Sequence, residues 1–184
     1  MDDSVYYNNF EDHLREELIR VCRQNGALTG QLLRSEDIDL RWTDYAPDYM
    51  ADAMKLITDY PTVSVAWAGY LGMAVAKWWD QDWETFRYYP YGRLHGKRGF
   101  DDMDEHIVQH ILGIPLESEE ATRMEDLLRS LATTAIGFIR HENIEPQSPQ
   151  AFYVYARTVK VMYQIGASLE LERLGYRWKG IMEH

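Results

Sequence analysis

One cysteine, Cys22, in 184 residues excludes a disulfide framework or an all-cysteine zinc site within the chain. Positive charge is scarce as well. Nineteen Lys and Arg face thirty Asp and Glu, for a formal net charge of -11. A field of that sign repels phosphate backbones and anionic lipid, which disfavours nucleic-acid binding unless a local patch overcomes the average. No apolar run has the roughly 20 residues a membrane span needs. The start, MDDSVYYNNF, is acidic and lacks the basic-then-apolar order of a signal peptide. A cytoplasmic location is the expectation, with Cys22 a small buried hydrophobe.

Catalytic signatures are also missing. There is no G-x-S-x-G elbow, no P-loop and no dinucleotide glycine pattern. His141-Glu142 runs on into Asn143, Ile144 and Glu145, so HExxH is absent, and no histidine follows a Glu by three residues as in di-iron bundles. Internal repeats, low-complexity tracts and Gly/Ser linkers are absent too. Residues 1–184 suit one helical domain with a sizeable core.

What is present is helical periodicity. Phe10, Leu14, Leu18 and Val21 make one stripe after the candidate caps Asn8 and Asn9, ending near Asn25-Gly26. Residues 26–45 look irregular. A second helix is expected from Pro47, with Met50, Met54 and Ile57 inward. The third segment, VSVAWAGYLGMAVA at 63–76, is apolar all round and so belongs inside, with Ala66, Gly69, Gly72 and Ala76 admitting close neighbours. Helix continues to about Tyr88. Residues 89–100 then form a loop, or a hairpin turning at Gly96. Further helices are expected from Asp102 to Gly113, after Ser118, and from Ser148-Pro149. No strand pair is evident. The expected class is all-α, a bundle of about six helices around the 63–76 helix.

Two places can carry function. In DDMDEHIVQH (101–110), His106 and His110 sit one helical turn apart, the spacing of a metal-ligand pair. A metal needs further ligands, with His13, His95, His141 and Glu142 as distant candidates. The plainer account makes Asp102 a group that bonds backward to the backbone, and His110 a partner for the helix end. The second place is the 86–100 segment, where Arg87, Arg93, Lys97, Arg98 and His95 interleave with Tyr88, Tyr89 and Tyr91 and no acid. Such a mixture suits a phosphate, a carboxylate or a stacked base. Trp79 and Trp83 could line a groove nearby, but core packing of at least two of Trp78, Trp79 and Trp83 is the expectation, and Asp80, Asp82 and Glu84 read as a solvated face.

The resulting expectation is a non-catalytic interaction or scaffold protein without a cofactor. It binds a protein partner or itself, through Arg87, Tyr91, Arg93, His95, Lys97 and Arg98. The alternative is a small-ligand-binding or metal-dependent helical protein, even an enzyme, that uses His106 and His110 with a divalent transition metal.

Overall fold

The computed structural model describes residues 3–178, of which the helical periodicity makes six helices and no strand. The first, α1 (Asp3–Gln24), starts well before Asn8 and Asn9, which are exposed positions inside it rather than caps. Tyr6 and Tyr7 pack against the core and carry the helix upstream. It ends as expected: Gly26 takes φ 75° and Ala27 N–H reaches back to the Cys22 carbonyl at 2.9 Å. Cys22 itself is buried, and that burial pushes its thiol up to about 12.

The second helix corrects the sequence expectation most. It spans Glu36–Ala53 (α2) and runs through Pro47 instead of starting there. Ser35 is extended at its head, and Glu36, Asp37 and Asp39 complement the dipole in the first turn. Ile38, Trp42, Tyr45, Tyr49 and Ala53 form the buried stripe. Pro47 faces solvent, where one lost backbone bond costs less than that stripe stabilises. Residues 54–59 are turns, so Met54 and Ile57 belong to no inner helical face.

The 63–76 segment lies in α3 (Pro61–Phe86), with Pro61 in the first turn and positions 64–76 buried apart from half-buried Trp67. Its neighbour α6 (Pro149–Arg173) presses directly on it. A Cβ at Gly72 would sit 2.0 Å from the Tyr163 carbonyl oxygen, and one at Gly166 would sit 1.9 Å from that of Gly69. The bundle thus has two axial helices, since α6 is buried along all of 161–172. Three tyrosine hydroxyls buried between helices are paired. Tyr49 and Tyr155 hydroxyls donate to the Ser64 carbonyl, and Tyr163 donates to that of Ile38.

Asp82 breaks α3 with an extended φ of -168° and accepts a 2.8 Å hydrogen bond from the Thr85 hydroxyl, which restarts the last turn. Beyond Phe86 the chain makes two 3₁₀ turns, Tyr91–Leu94 and Gly99–Asp102, and neither a hairpin nor an open loop. The helix expected over 102–113 is only briefly α: α4 (Met103–His106) widens into a π turn at Ile107–Ile111. That turn leaves Ile107, Val108, Leu112 and Ile114 all buried. Helix α5 (Glu119–Arg140) and α6 begin where Ser118 and Ser148 were expected to cap them, each hydroxyl accepting from the N–H three residues on at 3.1 Å. No helix among the described residues is long and apolar enough to cross a membrane.

Candidate functional site

The 86–102 segment is held down by anchors at both ends. The Tyr89 carbonyl accepts from the Tyr45 hydroxyl and from Arg41, each at 2.6 Å. Tyr91 is buried and its hydroxyl donates to Asp52 at 2.9 Å; burial, then Asp52, holds that phenol well above its ordinary pKa. Leu94 is fully buried. At the far end the Asp102 carboxylate accepts from Gly96 N–H at 2.7 Å and Arg98 N–H at 3.2 Å. It does bond backward to the backbone, as expected, though to the turn rather than as a helix cap. A Cβ at Gly96 would meet Asp102 at 2.6 Å, so this tight approach needs glycine.

Folding the segment this way brings the two sequence candidates together. A cavity of about 310 Å³ opens between the 91–96 turn, the end of α3 and the 106–111 turn. Its polar lining is His95, His106, His110, Arg93 and Gln81; Trp78, Phe86 and Tyr89 supply rings. No carboxylate lines it. The His106 and His110 rings are 5.3 Å apart. Arg93 lies over the Tyr89 ring at 4.8 Å, and its carbonyl accepts from His106 Nε2 at 3.2 Å. The ring nitrogen must be the donor there, since a carbonyl only accepts. His95 Nδ1 stands 3.4 Å from the Gly96 carbonyl in the same sense. The rings interlock behind: Phe86 stacks on Trp78 at 5.7 Å and meets Tyr89 edge-on at 4.9 Å.

Of the residues singled out from sequence, Arg93, His95, His106 and His110 meet here. Arg87, Lys97 and Arg98 do not: all three are exposed, Arg87 beside the Tyr88 ring and Arg98 against Glu105 at 3.3 Å. Tyr91 anchors the turn from beneath. Phe86 and Tyr89, part of the expected aromatic-basic segment, line the cavity, whereas Trp78 and Gln81 were not foreseen there. Trp79 and Trp83 line no part of this cavity and pack against the core, as Trp78 does, the role expected of at least two of the three; Trp79 also donates to Asp37 at 3.3 Å. Asp80, Asp82 and Glu84 form the solvated face expected of them.

His13 and His141 are exposed elsewhere, and Glu142 accepts a hydrogen bond from Tyr6, whose hydroxyl is pushed up to about 12 by burial and by that contact. Among the described residues, no three His, Cys, Asp or Glu side chains gather closely enough to hold a metal ion. A larger cavity of about 630 Å³ lies along α5 and α6, over Met73, Met124 and Leu127. Its ionic rim is mostly self-paired: Arg173 binds Glu170 at 2.7 Å and Glu120 at 3.4 Å, and Arg177 lies 3.8 Å from Glu172. The smaller cavity differs in that, among the described residues, its lining holds cations and donors but no carboxylate. The class these features define is a helical bundle with an acid-free, histidine-lined cavity at one end, and comparison with known proteins carries it no further: no family model, curated sequence or solved structure matches the chain.

Proposed function

We propose that this chain is a non-catalytic small-ligand-binding protein whose site is the cavity between the 86–100 segment and the histidine pair, and that its ligand is a small anion. One observation supports the reading. In a chain of net charge -11, that cavity gathers one guanidinium, three imidazoles and an amide without a single carboxylate. Its volume is at the small end of the range for ligand sites. A transition metal, the other form of this reading, has less support, because the described residues bring no third ligating side chain into range. The single buried cysteine favours a reducing, cytoplasmic setting.

The test is a titration with phosphate, sulfate and benzoate while the histidine ring resonances are followed by NMR. Resonances of His95, His106 and His110 are expected to move together along one saturable curve, with His13 and His141 as internal controls. No saturable movement by roughly 10 mM, a free energy near 3 kcal/mol, would refute the reading.

A protein partner is a second reading, carried by a different observation. Phe152 and Tyr153 are exposed neighbours, and Tyr153 meets Tyr7 at 5.5 Å, an aromatic patch suited to contact between copies of the chain. Sedimentation of the wild type and of a Phe152→Ser, Tyr153→Ser variant decides it. A monomer at all concentrations eliminates self-association.

A further inference from the structure

We propose that the anion is a small phosphate monoester carrying one aromatic ring, an inference that rests on the anion-binding reading above. Charge balance comes first. A neutral imidazole has one N–H to give. His106 spends its proton on the Arg93 carbonyl, and His95 turns its own towards the Gly96 carbonyl. An imidazole engaged in this way has a second N–H for an anion only in its imidazolium form. Arg93 is a permanent cation, and no carboxylate pairs with it; its guanidinium rests on the Tyr89 ring. The cavity thus offers one permanent positive charge together with three imidazoles. Of the acids nearest the histidines, Asp102 accepts from backbone N–H groups while its charge also reaches His106, and Glu105 pairs with Arg98. A phosphate monoester, with a second pKa of about 6 and so mostly a dianion near neutral pH, brings two negative charges to that lining. A carboxylate brings half as much.

Donor placement points the same way. Arg93 and His95 come from the 91–96 turn, His106 and His110 from the 106–111 turn, and Gln81 from the end of α3. A carboxylate presents two oxygens in one plane and suits a single fork. Donors on three separate elements fit three oxygens arranged tetrahedrally. The ring follows from the other wall, where Phe86 and Tyr89 leave an aromatic edge beside the donors. At about 310 Å³ there is room for a phosphoryl group and one ring.

The probes are phenyl phosphate, inorganic phosphate and benzoate, titrated calorimetrically into the full chain near neutral pH. Phenyl phosphate is expected to bind at least about tenfold more tightly than either of the others. Arg93→Gln and His106→Ala should each weaken phenyl phosphate by about tenfold or more. Arg93 is exposed, so its variant keeps the fold even if loss of His106 loosens the turn. If benzoate equals or exceeds phenyl phosphate, the phosphoryl assignment fails while the anion site stands. If inorganic phosphate matches phenyl phosphate, the ester assignment fails. If none of the three binds, the anion-binding reading falls with it.

Discussion

At Gly72 and Gly166 a hydrogen atom is all that fits between α3 and α6. The atoms that an added Cβ would strike are backbone, which cannot swing aside. Gly166→Ala should therefore cost about 3 kcal/mol or more, at the top of the usual overpacking range, read as a fall in the urea midpoint. A loss under about 0.5 kcal/mol would mean the two helices are not in backbone contact. Glu11 makes a different kind of residue-scale prediction. Burial works to raise its pKa, but Arg15 at 2.6 Å and Lys160 at 3.3 Å outweigh that and leave it lowered, with Arg157 alongside at 3.2 Å. A depressed folded-state pKa gives stability that is complete above the unfolded value of 4.5 and is lost as pH falls through the lower folded value. Glu11→Gln should destabilise by about 2–3 kcal/mol at neutral pH and shed that part of the acid dependence, as followed by urea unfolding against pH. An unchanged acid limb would remove Glu11 from the account. Single residues were partly legible beforehand. Gly72 was recognised as a close-approach position because the whole run around it is small and apolar. Gly166 was not, because it sits among Tyr, Gln and Ser.

Elements were most legible where local chemistry dictates them. Ser118 and Ser148 stand directly before their helices and use their hydroxyls as caps. Each Ser→Ala change should cost about 1 kcal/mol, and the pair about 2, since the two caps share no partner; denaturant melts of the three variants check this. A double variant that costs no more than a single one would show the caps to be coupled. Prediction was poorest where tertiary burial overrides a local signal. Pro47 looked like a beginning, yet the aromatic stripe of α2 already faces the core for three turns before it. The π turn at Ile107–Ile111 was invisible for the same reason. Its pattern is ordinary helix, and only the demand to bury Ile107, Val108, Leu112 and Ile114 together widens it. The Asp102 clasp is also an element-scale device, since it closes the 96–98 turn over the cavity. In Asp102→Ala, trypsin should cut after Lys97 or Arg98 several times faster while the thermal midpoint moves by only a few degrees. Equal cleavage rates would mean the turn is held by its buried residues alone.

For the whole molecule, charge sets the terms on which a partner approaches. The exposed cations of the 86–100 segment, Arg87, Lys97 and Arg98, stand within an acidic surface, and Arg98 is already paired. Neither single-stranded nor duplex nucleic acid should be retained at about 0.15 M salt, where a Debye length of about 8 Å confines any local attraction. Binding that weakens steeply with salt would overturn that expectation. Much of the architecture was decided by the sequence alone. An apolar rod too short for a membrane must lie inside, and capped amphipathic helices around it leave an all-α bundle as the arrangement that buries them. What the tertiary structure decided is the site. His106 and His110 were adjacent by helical spacing, and Arg93 and His95 by chain order. That the two pairs share one acid-free cavity depends on Tyr89, Tyr91, Leu94 and Asp102 pinning the intervening turn. The Tyr89 and Tyr91 contacts are long-range bonds to α2, Asp102 reaches back to the 96–98 turn, and no helical periodicity encodes either.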